Sequence, residues 1–205
     1  MLVGDFSWVD FRAGITRMKR VFYTLIQAIR QWGALKTYMD FSSPWRVGRL
    51  PELSLTWLAE HGIQHLALDF DGVMAPHGDA EPLPEVVAWL QQQAAQFNGH
   101  IYILSNKPLP IRIEYFRQHF PRVSFVMAKR KKPYPDGLVQ ILNTTGAKPE
   151  QVCLVDDRLL TGVLATQIAG AKAIYITKPY ACFRRRFIQE CFFAMLRNIE
   201  RFLLA

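Results

Sequence analysis

Cysteine is scarce in this sequence. Cys153, Cys182 and Cys191 are odd in number and show no CxxC spacing, which argues against a disulfide framework or a thiolate metal site and for a reducing compartment with buried thiols. Long hydrophobic runs are also missing. The longest uncharged stretch, Val86 to Asn106, contains four Gln, two Asn and a His, so it reads as helix, turn and strand rather than as a membrane span. The first twenty residues, MLVGDFSWVDFRAGITRMKR, lack the basic-then-apolar order of a secretory leader, so no export is expected. There are no internal repeats and no low-complexity segments.

Acidic charge is in deficit. Lys and Arg outnumber Asp and Glu by 25 to 17, a net charge of +8 and a pI near 9.6, which favours anionic partners such as acidic lipid or phosphorylated molecules. Nucleic acid is not the expected partner, because no strand motif interleaves aromatic and basic residues. The 205 residues, half of them hydrophobic, suffice for one sizeable core with appended helices.

Three zones are expected: a basic amphipathic helical extension over 1–50, a catalytic core over 51–180 and a C-terminal helix over 181–205. In the middle zone the apolar runs HLALDF, IYILS, SFVMA, VCLVD and KAIYIT alternate with stretches long enough for crossover helices, such as Pro84–Gln96 and Pro135–Thr144. Such alternation implies a parallel sheet covered on both faces, with its ligand outside the carboxyl ends of the strands.

The polar residues that follow these runs are the informative ones. Asp69 and Asp71 end the first, Ser105 and Asn106 the second, Lys129 to Lys132 the third, and Asp156 and Asp157 the fourth. All should converge on one sheet edge. One strand-end carboxylate can attack phosphorus if a hard divalent cation shields it from the incoming anion. A second can protonate the leaving oxygen and then activate water. A hydroxyl, an amide and a lysine can hold the phosphoryl oxygens.

The stretches DFDGV, LSN, KKP and LVDD resemble the four motifs of the haloacid dehalogenase (HAD) superfamily. The resemblance implies an α/β, HAD-like doubly wound parallel sheet (Rossmann-like). It also implies a Mg²⁺-dependent phosphomonoester hydrolase working through an aspartyl-phosphate. Carried over by motif, Asp69 is the nucleophile and Asp71 the general acid/base. Ser105 and Asn106 bind the phosphoryl group and Lys132 neutralises it, with Lys131 the alternative. The Mg²⁺ set comprises Asp69, Phe70 through its carbonyl, Asp71, Asp156 and Asp157.

Residues 35–205 further resemble the YqeG-type branch, which is similar to phosphatidylglycerophosphate phosphatases, through LPELSLTWLAEHGIQHLALDFDGVMAP, DDRLLTGVLATQIAGAKAIYITKP and RRRFIQECFFAMLRNIERFLL. In that branch the fourth motif reads G-D-x-x-x-T-D. Here Val155 is read in the glycine position and Gly162 in that of the second aspartate, with Asp157 as the replacement ligand or a group behind it.

Only 33 residues separate Asp71 from Ser105 and 25 separate Asn106 from Lys132, too few for an inserted cap domain. A capless, open site suits a phosphate carried on a large body. The N-terminal helix sets Arg17, Lys19, Arg20 and Arg30 beside Phe22, Leu25, Ile26, Ile29 and Trp32, and the tail carries Arg184 to Arg186. Both could lie on an anionic membrane, which gives an expected location that is cytoplasmic and peripheral to a membrane face. The alternatives are a soluble phosphomonoester as substrate, or a catalytically weak HAD-fold binding or adaptor protein. His65 and His77 read as strand-edge and loop histidines, and Cys153 as a small buried hydrophobe.

Overall fold

The computed structural model describes residues 8–94 and 96–205. Residues 1–7, which belong to the N-terminal extension and to the leader reading, and Ala95, inside the expected helix Pro84–Gln96, lie outside the described residues.

Every apolar run becomes a strand. β1 (Arg46–Val47), β2 (His65–Leu68), β3 (His100–Ile103), β4 (Val123–Phe125), β5 (Val152–Asp156) and β6 (Lys172–Ile176) form one sheet in the order β1-β6-β5-β2-β3-β4. All five pairings are parallel. The central strands are covered on both faces and therefore tolerate no polar residue until they end: β5 is buried throughout. Only the two-residue β1, at the edge beside β6, escapes the sequence pattern.

From β2 the chain moves outward to β3 and β4 and then returns to the other side of β2 for β5 and β6. The reversal of direction lies between β2 and β5, which places the crevice of a doubly wound sheet between the ends of those two strands. The crossover helices α4 (Pro84–Ala94), α5 (Pro110–His119), α6 (Asp136–Thr145) and α7 (Leu164–Ala169) follow β2, β3, β4 and β5, with α3 (Leu55–Glu60) ahead of β2. α6 and α7 end on Gly146 and Gly170 at φ +68° and +73°, the left-handed cap that glycine adopts without steric cost.

Two further helices pack on the flank. α1 (Trp8–Arg30) and α2 (Trp32–Lys36) bury Ala28 and Leu35 against Leu159, Val163, Leu164 and Tyr175, beside Leu204 of α8 (Phe183–Leu204). α8 is inverted relative to an ordinary surface helix. Its buried stripe carries Glu190, Arg197 and Glu200, while Phe187, Ile188 and Phe202 are 66%, 84% and 83% exposed.

Candidate active site

β2 and β5 end side by side, so the residues following them share one edge. Asp69 N donates to Val155 O at 2.9 Å, which carries the parallel ladder one residue beyond β2 and fixes where the Asp69 carboxylate leaves the strand. Gly72 then takes φ +84°, and a Cβ there would lie 2.7 Å from Asp157 Oδ2. The backbone of this loop thus runs directly against the carboxylate that follows β5, an approach that only glycine allows.

Lys132 joins the two strand ends. Its buried ammonium lies 2.5 Å from Asp156 Oδ2 and 3.1 Å from Asp69 Oδ1. The second contact is an ion pair outside hydrogen-bonding angles, which leaves Asp69 Oδ1 buried without a hydrogen bond. Lys131 is exposed, so the structure separates the two lysines. Burial would lower the Lys132 pKa, but Asp156 and Asp69 outweigh it and hold it raised.

Asn106 turns to the neighbouring loop rather than into the crevice. Its Oδ1 accepts from Lys132 N at 2.7 Å and its Nδ2 donates to Lys132 O at 3.4 Å, stapling the loops after β3 and β4 together. Ser105 Oγ accepts from Lys107 N at 3.1 Å and keeps its own proton to donate.

Asp71 is clamped. Arg112 of α5, whose side chain is fully buried, donates from Nη2 to Asp71 Oδ1 at 2.7 Å and from Nη1 to Oδ2 at 3.1 Å, and Gly78 N adds a bond to Oδ1 at 2.9 Å. Burial would raise the Asp71 pKa, but the Arg112 hydrogen bonds and charge win and hold it below the ordinary carboxylate value. Sequence reading missed Arg112.

Two expectations need correction. The Phe70 carbonyl accepts from Met74 N at 2.9 Å and Ala75 N at 3.2 Å, so the turn occupies both of its lone pairs and none is left for a cation. The register that puts Val155 in the glycine position fails on spacing, and Val155 is an ordinary strand residue of β5, paired with Leu68 and Ile174. Since Thr161 and Gly162 follow Asp157 by four and five residues, the motif's leading aspartate is Asp157 and its glycine position is held by Asp156.

That register explains the missing second carboxylate. A Cβ on Gly162 would fall 2.0 Å from both Cγ and Oδ2 of Asp156. The carboxylate of Asp156 fills the space that a side chain at 162 would need. Gly162→Ala is therefore expected to lower stability by about 1–3 kcal/mol through overpacking. It should also shrink the rise in melting temperature that a divalent cation produces, which thermal unfolding with and without MgCl₂ measures.

Asp69, Asp156 and Asp157 each offer an oxygen within 4.8 Å of the others. Arg197 of α8 holds Asp157 Oδ2 at 2.8 Å. Burial, with Asp156 adding to it, pushes Asp157 up to about 7 against the pull of Arg197, and burial pushes Asp69 up to about 8 despite Lys132. Three carboxylates face two cations, Lys132 and Arg197. The uncompensated charge, the all-oxygen donor set and an Asp69 Oδ1 that has an ion pair with Lys132 but no hydrogen bond suit a hard divalent cation.

α8 closes the back of this edge. Arg158, which follows Asp157, and Leu159 N both bond to Glu200. His77, in the loop after Asp71, bonds through Nδ1 to Glu190 Oε2 at 3.0 Å and stacks on Phe193 at 3.8 Å. His77 is thus a buried loop histidine, and Cys153 is buried inside β5.

A doubly wound parallel sheet with acidic side chains gathered at its switch point defines a class of α/β enzymes that work with strand-end carboxylates. Within that class the chain belongs to the haloacid dehalogenase-like hydrolases, whose family model matches residues 12–170. Comparison with curated proteins yields no match. Similar solved structures include a haloacid dehalogenase-like family hydrolase from Streptococcus pneumoniae, at 13% identity and TM-score 0.46 over 63% of this chain and 91% of that one. Another is the cobalt-bound deoxy-D-mannose-octulosonate 8-phosphate phosphatase of Haemophilus influenzae, at 14% and 0.44 over 65% and 89%. CbbY from Rhodobacter sphaeroides, in complex with phosphate, stands at 14% and 0.40 over 54% and 84%.

Proposed function

We propose that this hydrolase is a divalent-cation-dependent phosphatase that cleaves a phosphomonoester through an aspartyl-phosphate on Asp69, with a membrane lipid phosphate, phosphatidylglycerophosphate, as its substrate. The observation that carries the chemistry is the convergence of Asp69, Lys132, Asp156 and Asp157 between β2 and β5.

Asp69 Oδ attacks phosphorus and the ester oxygen departs with a proton from the minor, protonated form of Asp71, whose pKa Arg112 holds low. Water then attacks the acyl phosphate, gives its proton to Asp71, and inorganic phosphate leaves. Lys132 and the Ser105 hydroxyl face the charge that builds on the phosphoryl oxygens. Asn106 acts indirectly, holding the Lys132 loop in place. Asp69, Asp156 and Asp157 would hold Mg²⁺, which would supply charge neutralisation of the phosphoryl group.

Several features support a surface-bound substrate. The segments between Asp71 and Ser105 and between Asn106 and Lys132 contain only α4 with β3 and α5 with β4, so no inserted domain covers the crevice. Exposed apolar residues line the outer faces of α1 (Phe22, Ile26, Ile29) and α8 (Phe187, Ile188, Phe202), with Arg17, Lys19, Arg30 and Arg184 to Arg186 exposed beside them. Among the described residues no helix is long and apolar enough to cross a membrane. Attachment would be interfacial, by apolar insertion beside basic residues that meet anionic headgroups.

The test is phosphate release with MgCl₂ from phosphatidylglycerophosphate in mixed micelles and from a panel of soluble phosphomonoesters, each repeated with EDTA. EDTA-sensitive release selective for the lipid is expected. Release from soluble esters alone would keep the chemistry and overturn the lipid assignment, and no release from any ester would overturn both. Co-sedimentation with anionic but not neutral vesicles is expected as well, and equal recovery on both would overturn the electrostatic part of attachment.

A further inference from the structure

α1 and α8 do not close on each other along their whole length. Between them runs a groove of about 380 Å³ that reaches Arg158 and, at Thr161, the π-helical turn Leu159–Val163 that follows β5. Val21 and Leu25 line it from α1, Leu160 from that turn, and Leu196 and Ile199 from α8. An apolar furrow of this kind is costly to leave in water, and hydrocarbon is what lowers that cost.

The groove has charge of one sign. Arg17, Arg20 and Arg158 line it, and the one carboxylate present, Glu200, is already engaged by Arg158 and by Leu159 N. Among the described residues that line it, Arg17 and Arg20 have no carboxylate of their own. Arg20 is half-buried, and its pKa is lowered by burial and by the nearby charge of Arg158, so an anion there would relieve a like-charge repulsion. The groove thereby suits an extended apolar chain whose anionic headgroup leaves past the arginines.

We infer that the groove between α1 and α8 binds the hydrocarbon chain of an anionic amphiphile, the substrate's own chain, whose phosphate reaches the crevice past the Arg158 loop. The inference rests on the lipid-phosphate reading and adds a site that grips one chain, separate from attachment to a surface. Because the groove opens at Arg158, the residue after Asp157, chain binding and phosphate placement are coupled by proximity alone.

Two measurements test it. First, kcat/KM for butyl, octyl and dodecyl phosphate, each below its micellar concentration, should rise about tenfold along the series for the wild type, since a partly exposed groove realises only part of the transfer free energy of the added methylenes. Leu25→Glu and Val21→Trp should flatten that rise while leaving turnover of p-nitrophenyl phosphate unchanged; both positions are exposed, so neither variant threatens the fold. Second, dodecylphosphonate, which cannot be hydrolysed, should bind wild-type protein by calorimetry at least about tenfold more tightly than methylphosphonate. Leu25→Glu should abolish the difference.

Equal affinity for the two phosphonates would overturn the inference. So would a wild-type dimer that Leu25→Glu dissociates without altering chain-length dependence, because the groove would then be a subunit contact. Chain-dependent phosphonate binding without phosphate release from any ester would uphold the groove and overturn the phosphatase reading.

Discussion

Asp69→Asn is expected to lose turnover by a factor on the order of 10⁴ or more, as removal of a nucleophile does, and yet to yield a more stable protein when metal is chelated at pH 8. The two outcomes have one cause. Burial, with Asp156, Asp71 and Asp157 nearby, pushes Asp69 up from its ordinary 3.8 to about 8, Lys132 opposing. In the metal-free protein the folded state then keeps a proton that the unfolded chain has released. Between about pH 4 and pH 8 the folded state binds more protons, so its stability declines as pH rises through that window. Asp157, pushed up to about 7, adds a slope of the same sign. An amide at position 69 keeps the volume and carries no charge to desolvate, so the variant should lose less stability than the wild type between pH 5 and pH 8. MgCl₂ should raise the melting temperature of the wild type more than that of the variant. Thermal unfolding at pH 5 and pH 8, with EDTA and with MgCl₂, reads both effects. A metal-free wild type that gains stability toward pH 8 would sink the electrostatic account, and retained turnover would sink the assignment of Asp69.

The sheet was legible because parallel strands buried on both faces must be written as short apolar runs, and a charged residue can appear only where the strand leaves the core. Asp69 and Asp156 mark such exits, and that is why four strand-end constellations fall on one edge by sequence pattern alone. What stayed hidden depends on contacts across long separations or on turn geometry. Arg112 sits in PIRIEYFRQH, where an arginine reads as a solvated helix residue, and nothing local shows that it points inward to a carboxylate 41 residues earlier. The occupied Phe70 carbonyl follows from a turn whose hydrogen bonds the sequence does not spell out. α8 misleads in the opposite way. Glu190, Arg197 and Glu200 look like a wet face and are buried, because Arg197 answers Asp157, Glu200 answers Arg158, and Glu190 bonds to His77.

Arg112 is the position where removing one buried group should cost most in stability. Its Nε and Nη2 donate to Asp79 O at 2.9 and 2.8 Å, Nη1 donates to Lys107 O at 3.3 Å, and its plane lies 3.8 Å over the Phe70 ring. The guanidinium therefore ties the Asp71–Asp79 loop to the loop after β3 while gripping Asp71 with two bonds. Arg112→Ala leaves a largely buried carboxylate with Gly78 N as its one remaining donor, and takes the Arg112 donors from the Asp79 and Lys107 carbonyls, a loss of about 3–5 kcal/mol. Arg112→Lys keeps the charge without the planar fork and should cost less in stability while still misplacing Asp71. The catalytic consequence depends on the leaving group. Asp71 Oδ1 is held by two short bonds and Oδ2 by one long one, so Oδ2 is the oxygen able to carry the proton toward the ester oxygen. An alkoxide needs that proton and an activated phenolate does not. Arg112→Lys is accordingly expected to lower the single-turnover rate of alcohol release from alkyl phosphates by about 10²-fold, within the usual range for general acid catalysis, and to leave the pre-steady-state burst of p-nitrophenol release nearly unaffected, since the later hydrolysis in which Asp71 acts as base is common to both. In an Asp71→Asn background the same substitution should change neither rate further. An equal loss on both substrates would reduce Arg112 to a structural tie, whereas a loss confined to poor leaving groups and absent without Asp71 would identify it as the residue that positions the acid.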